Sequence, residues 1–188
     1  MAFGSYVALS RLLLRRSDRH PAAGIGGHEL GDFPEKVVRE FLALGLLEEQ
    51  EPLRDADDTA FVAVGDVVHG VSVDGGGAPG AVDPSALNIF RVNQLALASR
   101  IRLAFGLGGA PAEFIDGRTA WLGAVGSGSR RREYFMPRAL NARTVVDRGL
   151  MLKARAGGVG IALLTPTDRQ LPRSAVRQLM LEDIAIEA

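Results

Sequence analysis

Apolar residues recur at helical spacing in the first part of the chain, where Leu9, Leu12 and Leu13 share one face of residues 5–16. Arginines gather near the end of this stretch, and cations in a last helical turn interact favourably with the helix dipole. Clustered glycines then predict a loop over residues 18–27. The pattern therefore predicts an amphipathic first helix followed by a loop.

Two further helices are predicted after this loop. Residues 27–31 suit one short helical turn. Asp32, Pro34 and Glu35 then mark the start of a third helix, with Asp32 as the capping residue and the other two in the first turn. Gly45 is expected to end this helix because glycine readily adopts the left-handed conformation found at helix C-termini.

A valine-rich stretch over residues 59–73 predicts a pair of strands around Gly65 and Asp66. Together with the preceding helices it has the order helix, short helix, capped helix and β-hairpin. This order, and the run VVREFLALGLLEE at residues 37–49, resembles a bacterial winged helix-turn-helix protein over about residues 5–73.

The resemblance implies that the third helix lies in the major groove of DNA, where Lys36 and Arg39 would be secondary phosphate contacts. The charges on this helix, at Glu35, Lys36, Arg39 and Glu40, sum to zero, and more acidic residues follow closely. DNA affinity depends on the neutralisation of phosphates. A winged helix used for protein contact, or as a spacer, is therefore the alternative.

The second half of the chain alternates between helical and strand patterns. Turn residues at 116–117 and 126–129 separate the first strands, and one strand is apolar throughout, as expected for a strand covered on both faces. The predicted order is helix 84–106, strands 113–116, 119–125 and 131–137, helix 144–155, strand 159–164, helix 174–181 and strand 184–186.

This order, α-β-β-β-α-β-α-β over residues 84–188, resembles the core of the PD-(D/E)xK nuclease superfamily. An active member would hold Mg²⁺ with carboxylates on its second and third strands, beside a lysine on the third. Here the second strand has no carboxylate, and Phe135 occupies the lysine position after Glu133. We expect an α+β protein with an N-terminal winged helix-turn-helix and an inactive C-terminal α/β domain with a mixed sheet. An active nuclease would use Glu113, Asp116 and Glu133.

The two halves also differ in charge. Residues 1–80 contain 7 Lys and Arg against 13 Asp and Glu, a balance of −6, and residues 81–188 contain 15 against 9, a balance of +6. A Gly/Pro-rich linker at 74–83 is predicted to separate domains 1–73 and 84–188. In an alternative arrangement the acidic half covers the basic half, within one chain or between the chains of a homodimer.

Composition excludes several classes of chemistry. The chain has no Cys, which excludes disulfides, thiolate metal sites and a Cys nucleophile. Its three His are scattered, at His20, His28 and His69, and no Walker loop or nucleophile elbow is present. We expect no metal and no cofactor. No apolar run reaches the length of a membrane span and no signal peptide is evident, so we expect a cytoplasmic protein without membrane contact.

The densest basic cluster is Arg130, Arg131 and Arg132, which follows a Gly-Ser-Gly-Ser turn, with Arg138 one strand later. Flexible arginines at a hairpin tip reach phosphates easily, and these four are the predicted main contacts. We therefore expect a non-enzymatic DNA-binding protein, a transcription regulator or accessory factor of a bacterial cytoplasmic system, with DNA or another anionic partner. The alternatives are a divergent metal-dependent nuclease and a protein-interaction subunit of a larger assembly.

Overall fold

The computed structural model describes the backbone of residues 2–19, 24–50, 55–56, 59–64, 67–72, 80–82, 89–165 and 171–187. Contacts between Cα atoms divide the chain into two units, the first made of Met1–Ser10 and Ala22–Asn93, the second of Arg11–Pro21 and Gln94–Ala188. Helix α1 (Ala2–Arg19) contributes residues to both units. The protein is α+β, and no helix in the described ranges is long and apolar enough to cross a membrane.

The first unit contains α1 residues 2–10, strand β1 (Gly24–Gly26) and helices α2 (Gly27–Leu30) and α3 (Glu35–Ala43). The three predicted helices are confirmed, but Asp32 does not cap α3: Pro34 occupies the N-cap position without a side-chain hydrogen bond. Gly45 adopts a φ of +67° just after the helix. The side chains that α3 buries, Val37 and Phe41, lie one turn apart.

Strand β2 (Leu47–Gln50) follows α3, and strand β7 (Ile89–Val92) lies between β1 and β2 in an antiparallel sheet of order β1-β7-β2. The prediction of one helix over residues 84–106 is wrong at 89–92. This segment has partners on both edges, and β-branched and aromatic residues suit such a position better than a helix. Residues 84–88, the first part of that predicted helix, lie outside the described residues.

A second sheet in this unit has the order β3-β4-β5-β6, from β3 (Asp55–Ala56), β4 (Thr59–Val64), β5 (Val67–Ser72) and β6 (Gly80–Val82). Antiparallel pairing of β4 with β5 confirms the predicted strand pair, while its connection at Gly65 and Asp66 lies outside the described residues. This pair does not join the sheet next to α3: β2 and β7 do. Residues 80–82 of the predicted linker form a strand paired with β5.

The second unit contains α1 residues 11–19, helix α4 (Gln94–Ala104) and a five-stranded sheet. The strands of this sheet are β8 (Glu113–Asp116), β9 (Thr119–Val125), β10 (Arg132–Pro137), β11 (Gly160–Leu164) and β12 (Ile184–Glu187), in the order β12-β11-β10-β9-β8. Strands β8, β9 and β10 are antiparallel neighbours, and β10, β11 and β12 are parallel neighbours, so the predicted mixed sheet is confirmed. Helix α5 (Val145–Arg155) lies between β10 and β11 in the chain, and helix α6 (Arg173–Leu181) between β11 and β12.

Each face of this sheet has its own core. On one face Phe135 and Leu163 pack with Leu152 of α5 and Leu179 of α6. On the other face, side chains of β9 and β10 pack with residues of α4 and the loop after it, including Ala98. Alternate residues of a strand point to opposite faces, so the functional side chains of β8, β9 and β10 are sorted between these two layers.

Candidate functional site

The connection between β9 and β10 is a tight turn that presents arginines. Gly126 has a φ of +80°, and a Cβ atom at this position would lie 2.5 Å from the carbonyl oxygen of Arg130. Only glycine fits such a position without strain. A 3-10 turn over Gly128–Arg130 follows and leads into β10. The glycines of the predicted turn therefore bring the chain back sharply at the cluster of basic residues.

Arg130, Arg131 and Arg132 form what we call the arginine tip. Arg130 is exposed. The Nη2 atom of Arg131 lies 2.8 Å from Oε1 of Glu133, and that of Arg132 lies 2.7 Å from Oδ1 of Asp183. The two arginine side chains remain 48% and 39% exposed in these ion pairs. Exposed ion pairs contribute only about 0–1 kcal/mol. Asp183 is 62% exposed, so a phosphate can replace this carboxylate at little cost, whereas Glu133 is only 14% exposed.

Arg138 was expected to belong to an exposed cluster with the arginine tip, but its side chain is buried. It is only 7% exposed, and its guanidinium donates to the carbonyl oxygens of Ser17, at 3.3 Å, and of Gly117, at 2.6 Å. The same guanidinium lies 5.7 Å from the ring centroid of Phe114. Arg138 therefore joins the end of α1 to the turn before β9 within the second unit, and its buried guanidinium is not part of the exposed arginine tip.

Burial has a clear electrostatic consequence at this position. Desolvation lowers the pKa of Arg138, although the nearby carboxylate of Asp18 acts in the opposite direction. Asp18, itself buried, accepts a hydrogen bond of 2.7 Å from the backbone N–H of Ala139. Nε of Arg138 is buried without a hydrogen-bond partner. We call Ser17, Asp18, Gly117 and Arg138 the Arg138 clamp.

The secondary candidates lie on α3 in the first unit. Lys36 and Arg39 are both exposed, and Arg39 forms an ion pair with Glu35 one turn earlier. Glu40 accepts a hydrogen bond of 2.5 Å from the hydroxyl of Tyr6, and this bond, with burial, raises the pKa of Tyr6. Among the described residues of α3, Lys36 is thus the one cation without an ionic partner.

Charge is distributed more unevenly between the structural units than between the sequence halves. The first unit contains 4 Arg and Lys against 13 Asp and Glu, a net charge of −9. The second unit contains 18 against 9, a net charge of +9. The difference grows because the arginines of residues 11–19 belong to the second unit. Its exposed arginines are Arg11, Arg15, Arg100, Arg118, Arg130, Arg131, Arg143, Arg155, Arg173 and Arg177.

The three carboxylates of the nuclease alternative do not gather in one place. Asp116 accepts a hydrogen bond of 2.7 Å from Arg148, which also donates to Thr119. Glu113 and Glu133 instead line a pocket elsewhere on the sheet. Within the described part of the chain, no group of three His, Asp or Glu side chains is placed to hold a metal ion.

That pocket, which we call the Trp121 pocket, has a volume of about 260 Å³. The sequence patterns did not indicate a pocket beside Trp121. The signal lies in the strand register, which sets Glu113 of β8 and Phe135 of β10 on either side of Trp121. The lining residues are Ala110, Glu113, Ile115, Trp121, Glu133, Phe135 and Arg155.

Comparison with known proteins adds no assignment. No protein-family model, no curated protein and no solved structure matches this chain.

Proposed function

We propose that this protein binds duplex DNA without enzymatic activity, and that its basic second unit makes most of the phosphate contacts. The observation that carries the proposal is the separation of charge into units of −9 and +9. Duplex DNA carries about one negative charge per 1.7 Å of helix axis, so a strongly basic surface gains affinity through counterion release. The arginine tip is the proposed centre of this contact.

The pairing of acidic residues supports this assignment. Within the second unit Asp116 binds Arg148, Asp183 binds Arg132 and Glu133 binds Arg131. These acidic side chains are already engaged with the arginines that they neutralise. Among the residues that the structure describes, most of the exposed arginines of this unit have no carboxylate partner, so the positive charge of the unit is not cancelled locally.

The first unit is proposed to be a winged helix-turn-helix of the kind found in bacterial regulators. Its three helices precede the antiparallel pair β2 and β7, an order that supports this proposal. The wing would then be β2–β7, and the sheet containing residues 59–72 would be an insertion between its two strands. Helix α3 would contribute secondary phosphate contacts through Lys36 and Arg39, consistent with a regulator or accessory factor in the cytoplasm.

Fluorescence anisotropy with a labelled random duplex tests the proposal. We expect salt-sensitive binding by the wild type, and in the variant Arg130→Ala/Arg131→Ala/Arg132→Ala we expect weaker binding. The slope of log affinity against log salt should fall by about 2–3 in that variant, since each lost phosphate contact contributes about 0.9.

The matched control is Arg143→Ala/Arg173→Ala/Arg177→Ala, which removes the same charge from exposed positions of the same unit. We expect this control to retain most of the affinity. Equal losses of DNA affinity in both triple variants would overturn the proposal that the arginine tip is the centre of the phosphate contact. Absence of wild-type binding at low salt would overturn the function itself and favour a protein partner. Cleavage of the duplex with Mg²⁺, lost in Glu133→Ala, would favour the nuclease alternative.

A further inference from the structure

The Trp121 pocket combines an apolar floor with two opposite charges. Ile115, Trp121 and Phe135 form the floor, on the face of the sheet that carries the α5 and α6 core. Glu113 is exposed on β8, and Arg155 is exposed at the C-terminal end of α5. A ligand in this pocket would therefore contact an aromatic surface, a carboxylate and a guanidinium at the same time.

The two glutamates of the pocket are not equivalent. Oε2 of Glu133 accepts a hydrogen bond of 3.2 Å from Nε1 of Trp121, and Oε1 lies 2.8 Å from the guanidinium of Arg131. Both oxygens of Glu133 are thus engaged, and they hold the indole ring in place. Glu113 has no hydrogen-bond or ion-pair partner among the described residues, so its carboxylate is available to a ligand.

Arg155 likewise has no ion-pair partner among the residues that the structure describes. Glu113 and Arg155 line the same pocket, yet they do not form a salt bridge with each other. Two opposite charges that line one pocket without pairing with each other can both be satisfied by a molecule that carries both charges. With Glu133 neutralised by Arg131, the pocket has one free negative and one free positive side chain.

We propose that the Trp121 pocket binds a small zwitterion of the α-amino acid class. Its ammonium group would contact Glu113, its carboxylate would contact Arg155, and its apolar side chain would lie against Trp121. Pockets for drug-sized ligands measure about 300–1,000 Å³. The Trp121 pocket, at about 260 Å³, lies just below that range and suits a smaller molecule such as an amino acid. Charge-assisted hydrogen bonds at both ends would provide the specificity.

Other ligand classes fit the same residues less well. Ca²⁺ takes about 6–8 oxygen ligands, whereas only one carboxylate of the pocket is free. A phosphate group would lie near two glutamates and gain only one arginine. A neutral nucleobase could stack on Trp121, but it would leave the guanidinium of Arg155 without a counter-charge. The zwitterion is the class that uses both free charges.

Binding can be followed directly, because Trp121 is the only tryptophan of the chain and its fluorescence reports this pocket alone. We would titrate the full-length protein with L-leucine, L-methionine and L-phenylalanine. Two analogues of leucine serve as matched probes: 3-methylbutylamine lacks the carboxylate, and 4-methylpentanoate lacks the ammonium group. We expect the zwitterions to bind at least about tenfold more tightly than either analogue, as the loss of one charged hydrogen bond implies.

Two variants test separately the contacts proposed for the ammonium group and for the carboxylate of the ligand. Glu113→Gln should weaken leucine about tenfold or more and leave 4-methylpentanoate nearly unchanged, and Arg155→Met should weaken leucine equally and leave 3-methylbutylamine nearly unchanged. Arg143→Met, an exposed change outside the pocket, is the control and should have no effect. Both pocket residues are exposed, so the variants should fold, which their circular dichroism checks.

The proposal does not depend on DNA binding and can fail separately from it. Absence of a fluorescence change with any of the three amino acids at millimolar concentrations would overturn it. So would binding that both variants leave unchanged, or tighter binding of a neutral nucleoside than of the zwitterions.

Discussion

Replacement of Arg138 by methionine removes a buried guanidinium but keeps most of the apolar stem of the side chain. The variant loses a short charged hydrogen bond to Gly117 and a longer one to Ser17. A hydrogen bond from a charged group contributes about 1.5–3 kcal/mol, and a weaker one about 0.5–1.5 kcal/mol. The favourable charge interaction with Asp18 is lost as well. We therefore expect Arg138→Met to lower the free energy of unfolding by about 2–4 kcal/mol.

Urea unfolding followed by Trp121 fluorescence reports on the structural unit that contains Arg138. The only tryptophan of the chain lies on β9, in the same second unit. In a chain of this size a loss of 1 kcal/mol lowers the melting temperature by about 2–4 °C. The matched control is Arg143→Met, an exposed arginine of the same unit, which should change the stability by less than about 0.5 kcal/mol.

A double-mutant cycle tests whether the Arg138 clamp acts as one network. The effects of Arg138→Met and Asp18→Asn should not add, and the coupling energy should lie at about 0.5–3 kcal/mol. An Arg138→Met variant as stable as Arg143→Met would refute the structural role. The structural role would also be refuted if Arg138→Met kept normal stability but lost as much DNA affinity as the arginine tip variant. Arg138 would then act as a phosphate contact.

Two further predictions concern backbone space and pH. Gly123 has a φ of +135°, and a Cβ there would lie 2.5 Å from the carbonyl oxygen of Gly108. Gly123→Ala should therefore lower the free energy of unfolding, measured by urea titration, by about 1–3 kcal/mol. The control Gly117→Ala places its Cβ in open space and should lower it by less than about 0.5 kcal/mol. The pKa of Tyr6 is raised above 10.0 by Glu40, so its neutral form stabilises the fold below pH 10.0 and that contribution disappears as pH rises through the raised pKa. Tyr6→Phe should remove this alkaline loss, and an unchanged alkaline stability curve would contradict the assignment.

The second unit was largely predictable from the sequence because its signals are local. Strand alternation and the turn residues at 116–117 located β8 and β9 at the observed residues. Strand β7 was missed because the strands that pair with it lie far away in the chain, at residues 24–26 and 47–50. Periodicity within a short window does not show such partners, and the spacing of apolar residues there also fits a helix.

The residues of the candidate site likewise differ in how far their positions follow from the local sequence. Arg130 and Arg138 look alike in sequence, and only the fold exposes one and buries the other. Burial of Arg138 depends on Ser17, which lies 121 residues earlier. The Trp121 pocket depends on cross-strand register and on the position of Arg155 at the end of α5. Neither arrangement has a signature within any short stretch of the chain.

The division of α1 between the units has a consequence for how the protein is made. Residues 22–93 of the first unit are inserted between the two segments of the second, so no single cut of the peptide chain yields two complete units. Asp18 is synthesised 121 residues before its partner Ala139. At about 5–20 residues per second, that interval lasts roughly 6–24 s on the ribosome. All residues of the first unit have therefore been synthesised before Ala139, the partner of Asp18, is added to the chain.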